Sequence, residues 1–205
     1  MKRCFFVSRI GLEDSPERRI SDKLLEHIIK PVVSDMGYSA PERADHIAAS
    51  GVITTQVFTR LLEDDLVVAD LTGSNPNVFY ELAVRHMVRK PFVQFIQKGE
   101  KIPFDIALNR TLHYDFDVAT VDRCRVEFRK MIEWFDSDAK ACDTALSLAI
   151  DFRDLSRSDN PLEKSSNEIL SMLQKILGAV GKNNDIRSEK IEEKEDFVPS
   201  LGSGK

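Results

Sequence analysis

Cysteine is scarce in this 205-residue chain. There are three (Cys4, Cys124 and Cys142), an odd number with no CxxC spacing. That argues against a disulfide framework and a thiolate metal cluster, and it points to the reducing cytosol, so a cytoplasmic protein is expected. The four histidines (His27, His46, His86 and His113) are scattered, and no metal site is expected. A surplus of positive charge is also lacking. Lys and Arg number 29 against 34 Asp and Glu, a formal charge of -5, which speaks against a binder of nucleic acid polymers, because phosphate neutralisation needs the opposite balance. No apolar run approaches the roughly 18 residues of a membrane span. The opening Met1 to Ser8 has a short apolar stretch and no small-residue cleavage site, so it reads as a strand rather than a signal peptide. What the chain does have is 42% hydrophobic and 31% charged residues. That composition buries a core and excludes a wholly disordered protein.

The period of the apolar residues changes repeatedly. Cys4 to Val7, Leu66 to Ala69 and Phe92 to Ile96 are runs apolar on both faces, as in central strands covered on two sides. Tyr38 to Ala44 is a weaker strand, and Pro41 assigns it to an edge. Thr111 to Phe116 is the fifth strand. Between these lie helical patterns. Ile20, Leu24, Ile28 and Val32 recur every four residues, with Ser15 as N-cap and Pro16 in the first turn. Pro31 is expected to kink or shorten that helix. Ile53, Val57 and Leu61 mark a second helix, and Val78 to Arg89 a third, with Asn77 as its N-cap. Strands alternating with helices predict a flavodoxin-like doubly wound parallel sheet of five strands over residues 1–117. Ligands of such sheets bind beyond the carboxyl ends of the strands, where the strand order reverses.

From Val118 to Leu155 the pattern is helical, with Val121, Arg125, Phe128, Ile132 and Phe135 on one side. A second amphipathic segment follows, from Leu162 to Val180. Together, residues 118–180 read as a C-terminal helical extension beyond what five strands need. Packing on the domain is the favoured reading and a self-association surface the sharper one, with a homo-oligomer as the expected assembly. Residues 181–205, polar and charged in both signs, read as a flexible tail.

The most informative stretch is Ala69-Asp70-Leu71-Thr72-Gly73-Ser74-Asn75-Pro76-Asn77-Val78-Phe79-Tyr80-Glu81-Leu82. Asp70 closes a buried strand, Gly73 and Asn75-Pro76 form a tight loop, and the helix that follows is apolar on nearly every side. Glu81 is the one charge within Val78 to Val84, and glutamate is seldom buried unpaired. Two readings stand. Glu81 pairs with Arg85 at i+4 and complements the helix dipole. Alternatively, the dipole keeps it ionised at the floor of a cleft, where it can attack an electron-poor sugar carbon.

Val67 to Thr72, Asn75 to Leu82 and Arg85-His86 together resemble the signature of the nucleoside 2-deoxyribosyltransferase-like proteins. That group includes deoxynucleotide N-glycosidases and shares an architecture with TIR domains. The opening Phe5 to Gly11 and the segment Arg43 to Ile47 are similar to it too, so the resemblance spans about Arg3 to Asp115. It implies Glu81 as nucleophile at the anomeric carbon, with Asn75, Asn77 and the backbone of Gly73 around the sugar or its 5′ substituent, and Asp70 is expected to share the catalysis by positioning the sugar. It also implies phosphate or sugar contacts from Ser8, Arg9 and Gly11. Asp45 and Tyr80 are further substrate-contact candidates, Tyr80 by stacking on a base; an aromatic there is more often core. His46 is a weaker candidate.

Two departures matter. Arg9 stands where the group's pattern has proline. The second acid that related enzymes carry in the preceding helix has no counterpart in Val57-Phe58-Thr59-Arg60. Without a general acid a neutral purine leaves poorly, whereas the nicotinamide of NAD leaves from an already cationic ring. The expected function is therefore cleavage or transfer of an N-glycosidic bond in a nucleoside, a nucleotide or NAD. NAD would be a substrate, and no cofactor is expected. The alternative is a TIR-like nucleotide-binding assembly module without catalysis.

Overall fold

The computed structural model describes residues 1–46, 53–137 and 142–157. The apolar runs form the expected sheet. Its strands are β1 (Cys4–Val7), β2 (Glu42–Arg43), β3 (Leu66–Asp70), β4 (Phe92–Gln97) and β5 (Thr111–Tyr114). All neighbours are parallel, in the order β2-β1-β3-β4-β5. The chain steps outward from β1 to β2, then returns past β1 to β3 and onward, so the order reverses between β1 and β3. Pro41 lies just outside β2, a two-residue edge strand where its missing N–H breaks no central ladder.

Alternation along the strands sends side chains into two cores. Cys4, Phe6, Leu66, Val68, Val93, Phe95, Leu112 and Tyr114 face one way. Phe5, Val7, Val67, Ala69, Phe92 and Ile96 face the other. The second core is closed by α3 (Ile53–Glu63) and α4 (Pro76–Met87), which contribute Val57, Leu61, Val78 and Leu82. The first is closed by α1 (Pro16–Leu24), the turns that continue it, and α5 (Val118–Ser137).

Pro31 does not shorten its helix, one of the two outcomes expected of it. A π-helical turn, Leu25–Ile29, absorbs it and leads straight into α2 (Lys30–Asp35). Proline at 31 has no N–H for the carbonyl of His27 four residues back, and the Arg125 Nε donates to that carbonyl instead, at 2.7 Å. Wide turns with one extra residue are a known remedy for such a gap in the ladder.

The domain boundary moves. Cys124, Phe128, Met131, Ile132 and Phe135 of α5 are part of the first core, and the compact unit runs from Met1 to Ile150. A sheet domain ending at residue 117 would leave that face bare, so α5 is integral and its apolar stripe is spent on the sheet. The continuous helical pattern from Val118 to Leu155 is also divided, since α6 (Ala145–Arg157) starts afresh. Its start is capped reciprocally: Thr144 N–H donates to Ser147 Oγ at 2.8 Å, and Ser147 N–H to Thr144 Oγ1 at 3.1 Å. The second unit is Asp151–Lys205, of which residues 151–157 are described. The expected helix from Leu162 to Val180 and the tail at 181–205 lie outside the described residues.

Candidate active site

The reversal of strand order leaves a cleft, and a cavity of about 130 Å³ occupies it. Its walls come from β1 and the loop after it (Ser8, Arg9 and Ile10), from the end of β2 (Arg43 and Ala44), and from the start of α4 (Asn75, Asn77 and Glu81). Four of the expected site residues thus meet here with Glu81: Ser8, Arg9, Asn75 and Asn77. Asn75, rather than Asn77, is the N-cap of α4. Its side-chain oxygen accepts the Asn77 N–H at 2.9 Å, and Pro76 occupies the first helical position.

Glu81 is partly buried and has no hydrogen bond or ion pair among the described residues. The expected bond to Arg85 does not form. Arg85 is fully buried one turn further along α4, where it donates to three backbone carbonyls: Leu61 at 2.8 Å, Pro91 at 2.9 Å and Asp65 at 3.2 Å. Those carbonyls lie where α3 leads into β3 and where α4 leads into β4, so the guanidinium ties the two crossovers together. Burial lowers its pKa to about 10, which leaves it cationic at neutral pH. The dipole reading needs correction as well. Glu81 lies in the second turn of α4, beyond the first turn to which the helix field is confined. Burial then acts unopposed and raises its carboxyl to about 7.

Asp70 is not part of the cavity wall. It is 1% exposed, and its carboxylate accepts from the Thr72 N–H at 3.1 Å, from the Thr72 hydroxyl, and from Tyr114 Oη at 3.1 Å. Burial raises its pKa, against the pull of those hydrogen bonds. Its oxygens are committed to holding the β3–α4 turn against β5. Gly73, with φ of +75°, donates its N–H to Glu100 at 2.7 Å, and the Arg9 guanidinium lies across it. Gly11 packs on the start of α1, where a Cβ would collide with Ser15 Oγ. Tyr80 is 64% exposed and meets Phe58 edge-on with ring centroids 5.8 Å apart, so it is neither core nor cavity wall. His46 carries no described side chain. Arg9 itself has no hydrogen bond or ion pair among the described residues.

The residues missed by reading the sequence form a polar chain that runs to Ser8 from Arg43, which is itself part of the cavity wall. Arg43 is 0% exposed. Its Nε and NH2 donate to both oxygens of Asp45, at 2.6 and 3.0 Å, and NH2 also reaches Asp22 at 2.8 Å. Its NH1 donates to Ser21 Oγ at 2.7 Å, and Ser21 Oγ lies 2.7 Å from Ser8 Oγ. Burial alone would lower the Arg43 pKa, but the bonds from Asp45 and Asp22 outweigh it and raise the value. Asp45, expected at the substrate, is engaged by Arg43 and by Arg18 at 2.8 Å. An arginine in a polar segment reads as surface; only the fold shows two carboxylates converging on it. Among the described residues no group of His, Cys, Asp and Glu could hold a metal ion.

No protein-family model matches the chain, and neither does any curated protein. Solved structures are similar to it. One is a 2-deoxyribosyltransferase from the psychrotolerant bacterium Bacillus psychrosaccharolyticus, at 14% identity and a TM-score of 0.44, over 58% of this chain and 95% of that one. Another is a CMP N-glycosidase from Clostridium botulinum, at 15% identity and a TM-score of 0.40, over 65% of this chain and 99% of that one. Both are likenesses of backbone architecture. No helix among the described residues is long and apolar enough to cross a membrane.

Proposed function

We propose that this protein cleaves or transfers the N-glycosidic bond of a small nucleoside, a nucleotide or NAD, with Glu81 as the nucleophile. The observation that carries the reading is Glu81 itself: a carboxylate left without a partner, partly desolvated, in the wall of a cavity at the sheet's switch point. A structural carboxylate would have been paired. An unpaired one beside a cleft is a group held ready for a ligand.

In the first step a Glu81 oxygen bonds to the anomeric carbon and the C–N bond breaks, its electron pair leaving with the base. In the second, the oxygen of water or a nitrogen of another base bonds to the anomeric carbon and gives up its proton to solvent, and the bond to Glu81 breaks with its electron pair to free the carboxylate. Asn75 and Asn77 line the cavity beside Glu81 and can hold sugar hydroxyls. Ser8 and Arg9 face a hydroxyl or anionic substituent from the opposite wall. Among the described residues, Glu81 is the only carboxylate lining this cavity. The expectation that Asp70 shares the catalysis is dropped, since its oxygens are spent on Thr72 and Tyr114. A single acid favours a base that leaves without needing a proton, and the cationic nicotinamide of NAD is of that kind.

The test is incubation of the purified protein with NAD, deoxynucleoside monophosphates and deoxynucleosides, with released base read by chromatography. Base release from at least one of them, reduced on the order of 10³-fold in Glu81→Gln while the fold is retained, is the expected result. Unchanged release in Glu81→Gln refutes the nucleophile. Binding without turnover, seen as a higher melting temperature with no base released, refutes the enzymatic reading.

A further inference from the structure

The chain of contacts that runs to Ser8 has a direction. The Arg43 guanidinium can only donate, and NH1 donates to Ser21 Oγ at 2.7 Å. Ser21 is 1% exposed, and Ser8 is its one further side-chain partner among the described residues, at 2.7 Å. A hydroxyl has one proton. If Ser8 donated to Ser21, the Ser21 proton would be buried with no acceptor, an arrangement native interiors avoid. If Ser21 donates to Ser8, the Ser21 proton and the Arg43 NH1 both have acceptors, and the Ser8 proton is left pointing away from Ser21. Ser8 lines the cavity.

We infer that Arg43 and Ser21 are positioning residues that fix the Ser8 hydroxyl as a hydrogen-bond donor into the cavity. The ligand atom opposite Ser8 is therefore an acceptor oxygen. The buried positive charge at the head of the series polarises both hydroxyls in the same sense and strengthens the terminal donor. Asp45 and Asp22 hold the guanidinium in place, which gives the carboxylates around Arg43 a purpose other than touching substrate. The inference rests on the cavity being the substrate site, but the proton's direction belongs to the protein alone.

Two experiments test it, and they separate it from the proposed reaction. Neutron diffraction of the deuterated, ligand-free protein should show deuterium on Ser21 Oγ directed at Ser8 Oγ, with the Ser8 deuteron toward the cavity. Deuterium on Ser8 directed at Ser21 overturns the inference, whether or not any nucleotide is turned over. The second experiment uses the substrate that base release identifies. Ser21→Ala should raise KM about tenfold with kcat changed less than twofold, and Ser21→Thr, which keeps the hydroxyl, should restore KM. Adding Ser8→Ala to Ser21→Ala should cost little more than either alone. Ser21→Ala with unchanged KM, or additive losses in the double variant, overturns it. A merely structural role for Ser21 would lower the melting temperature without this coupling to Ser8.

Discussion

At Glu81 the cost of burial and the needs of a nucleophile meet in one side chain. Its carboxyl is held at about 7 in the folded protein, against 4.5 for an ordinary glutamate, with burial as the cause. Attack on carbon requires the ionised form, so the rate should climb with pH through about 7 and level off above it; a kcat/KM profile measures this. Stability should move the other way. Between 4.5 and 7 the folded state holds a proton that the unfolded state has lost, so raising the pH through that window destabilises the fold. Glu81→Gln removes the penalty. Partial exposure reduces it to on the order of 1 kcal/mol, and the variant should be more stable than the parent at pH 8 and no different at pH 4, by chemical denaturation. Arg85 supplies the contrast. Arg85→Leu strips the donors from the carbonyls of Leu61, Asp65 and Pro91 and should cost about 3 kcal/mol or more. Arg85 makes no ion pair with Glu81, so the midpoint of the pH profile should stay where it was. An i,i+4 spacing in the sequence suggested that pair, and local spacing was a poor guide because a fully buried guanidinium goes where unmet carbonyls are.

Among the elements, the β3–α4 connection does most to shape the site. Asp70, Thr72 and Tyr114 lock its start, Gly73 turns it through a positive φ, and Asn75 caps the helix that carries Glu81. Gly73→Ala meets two obstacles. The left-handed backbone disfavours any Cβ, and the new methyl would sit 2.9 Å from Arg9 Cζ. The expected outcome is a stability loss of about 1–2 kcal/mol, measured by thermal unfolding. Displaced from its place, Arg9 should also bind deoxynucleoside monophosphates less well while neutral deoxynucleosides are unaffected, measured by calorimetry. The turn was legible as Gly73 followed by Asn75-Pro76, since those residues have few other uses in sequence. That Asp70 supports the turn rather than the substrate was not legible, because its partner Tyr114 is 44 residues away. The π-helical turn at Leu25–Ile29 was hidden for the same reason: Pro31 announces a missing donor, but Arg125 is what takes over the orphaned carbonyl.

For the molecule as a whole, the sheet domain needs α5. Phe128 is fully buried on it and meets Phe95 of β4 edge-on, with centroids 5.1 Å apart. Phe128→Ala should therefore cost about 3–5 kcal/mol in denaturant unfolding, the cost of a core cavity, where an appended helix would lose little. The sequence by itself determined the order of strands and helices and the two-faced burial, because apolar period is a local property set by backbone geometry. It also determined the one charge in α4 that lacked an obvious reason to be there. Only the tertiary structure decided which charges are spent on the fold and which remain free. Arg43, Arg85, Asp45 and Asp70 all find partners within the protein, while Glu81 and Arg9 face the cavity with no hydrogen bond or ion pair among the described residues. A charge's fate depends on what the rest of the chain brings within about 3 Å of it, and no spacing along the sequence encodes that.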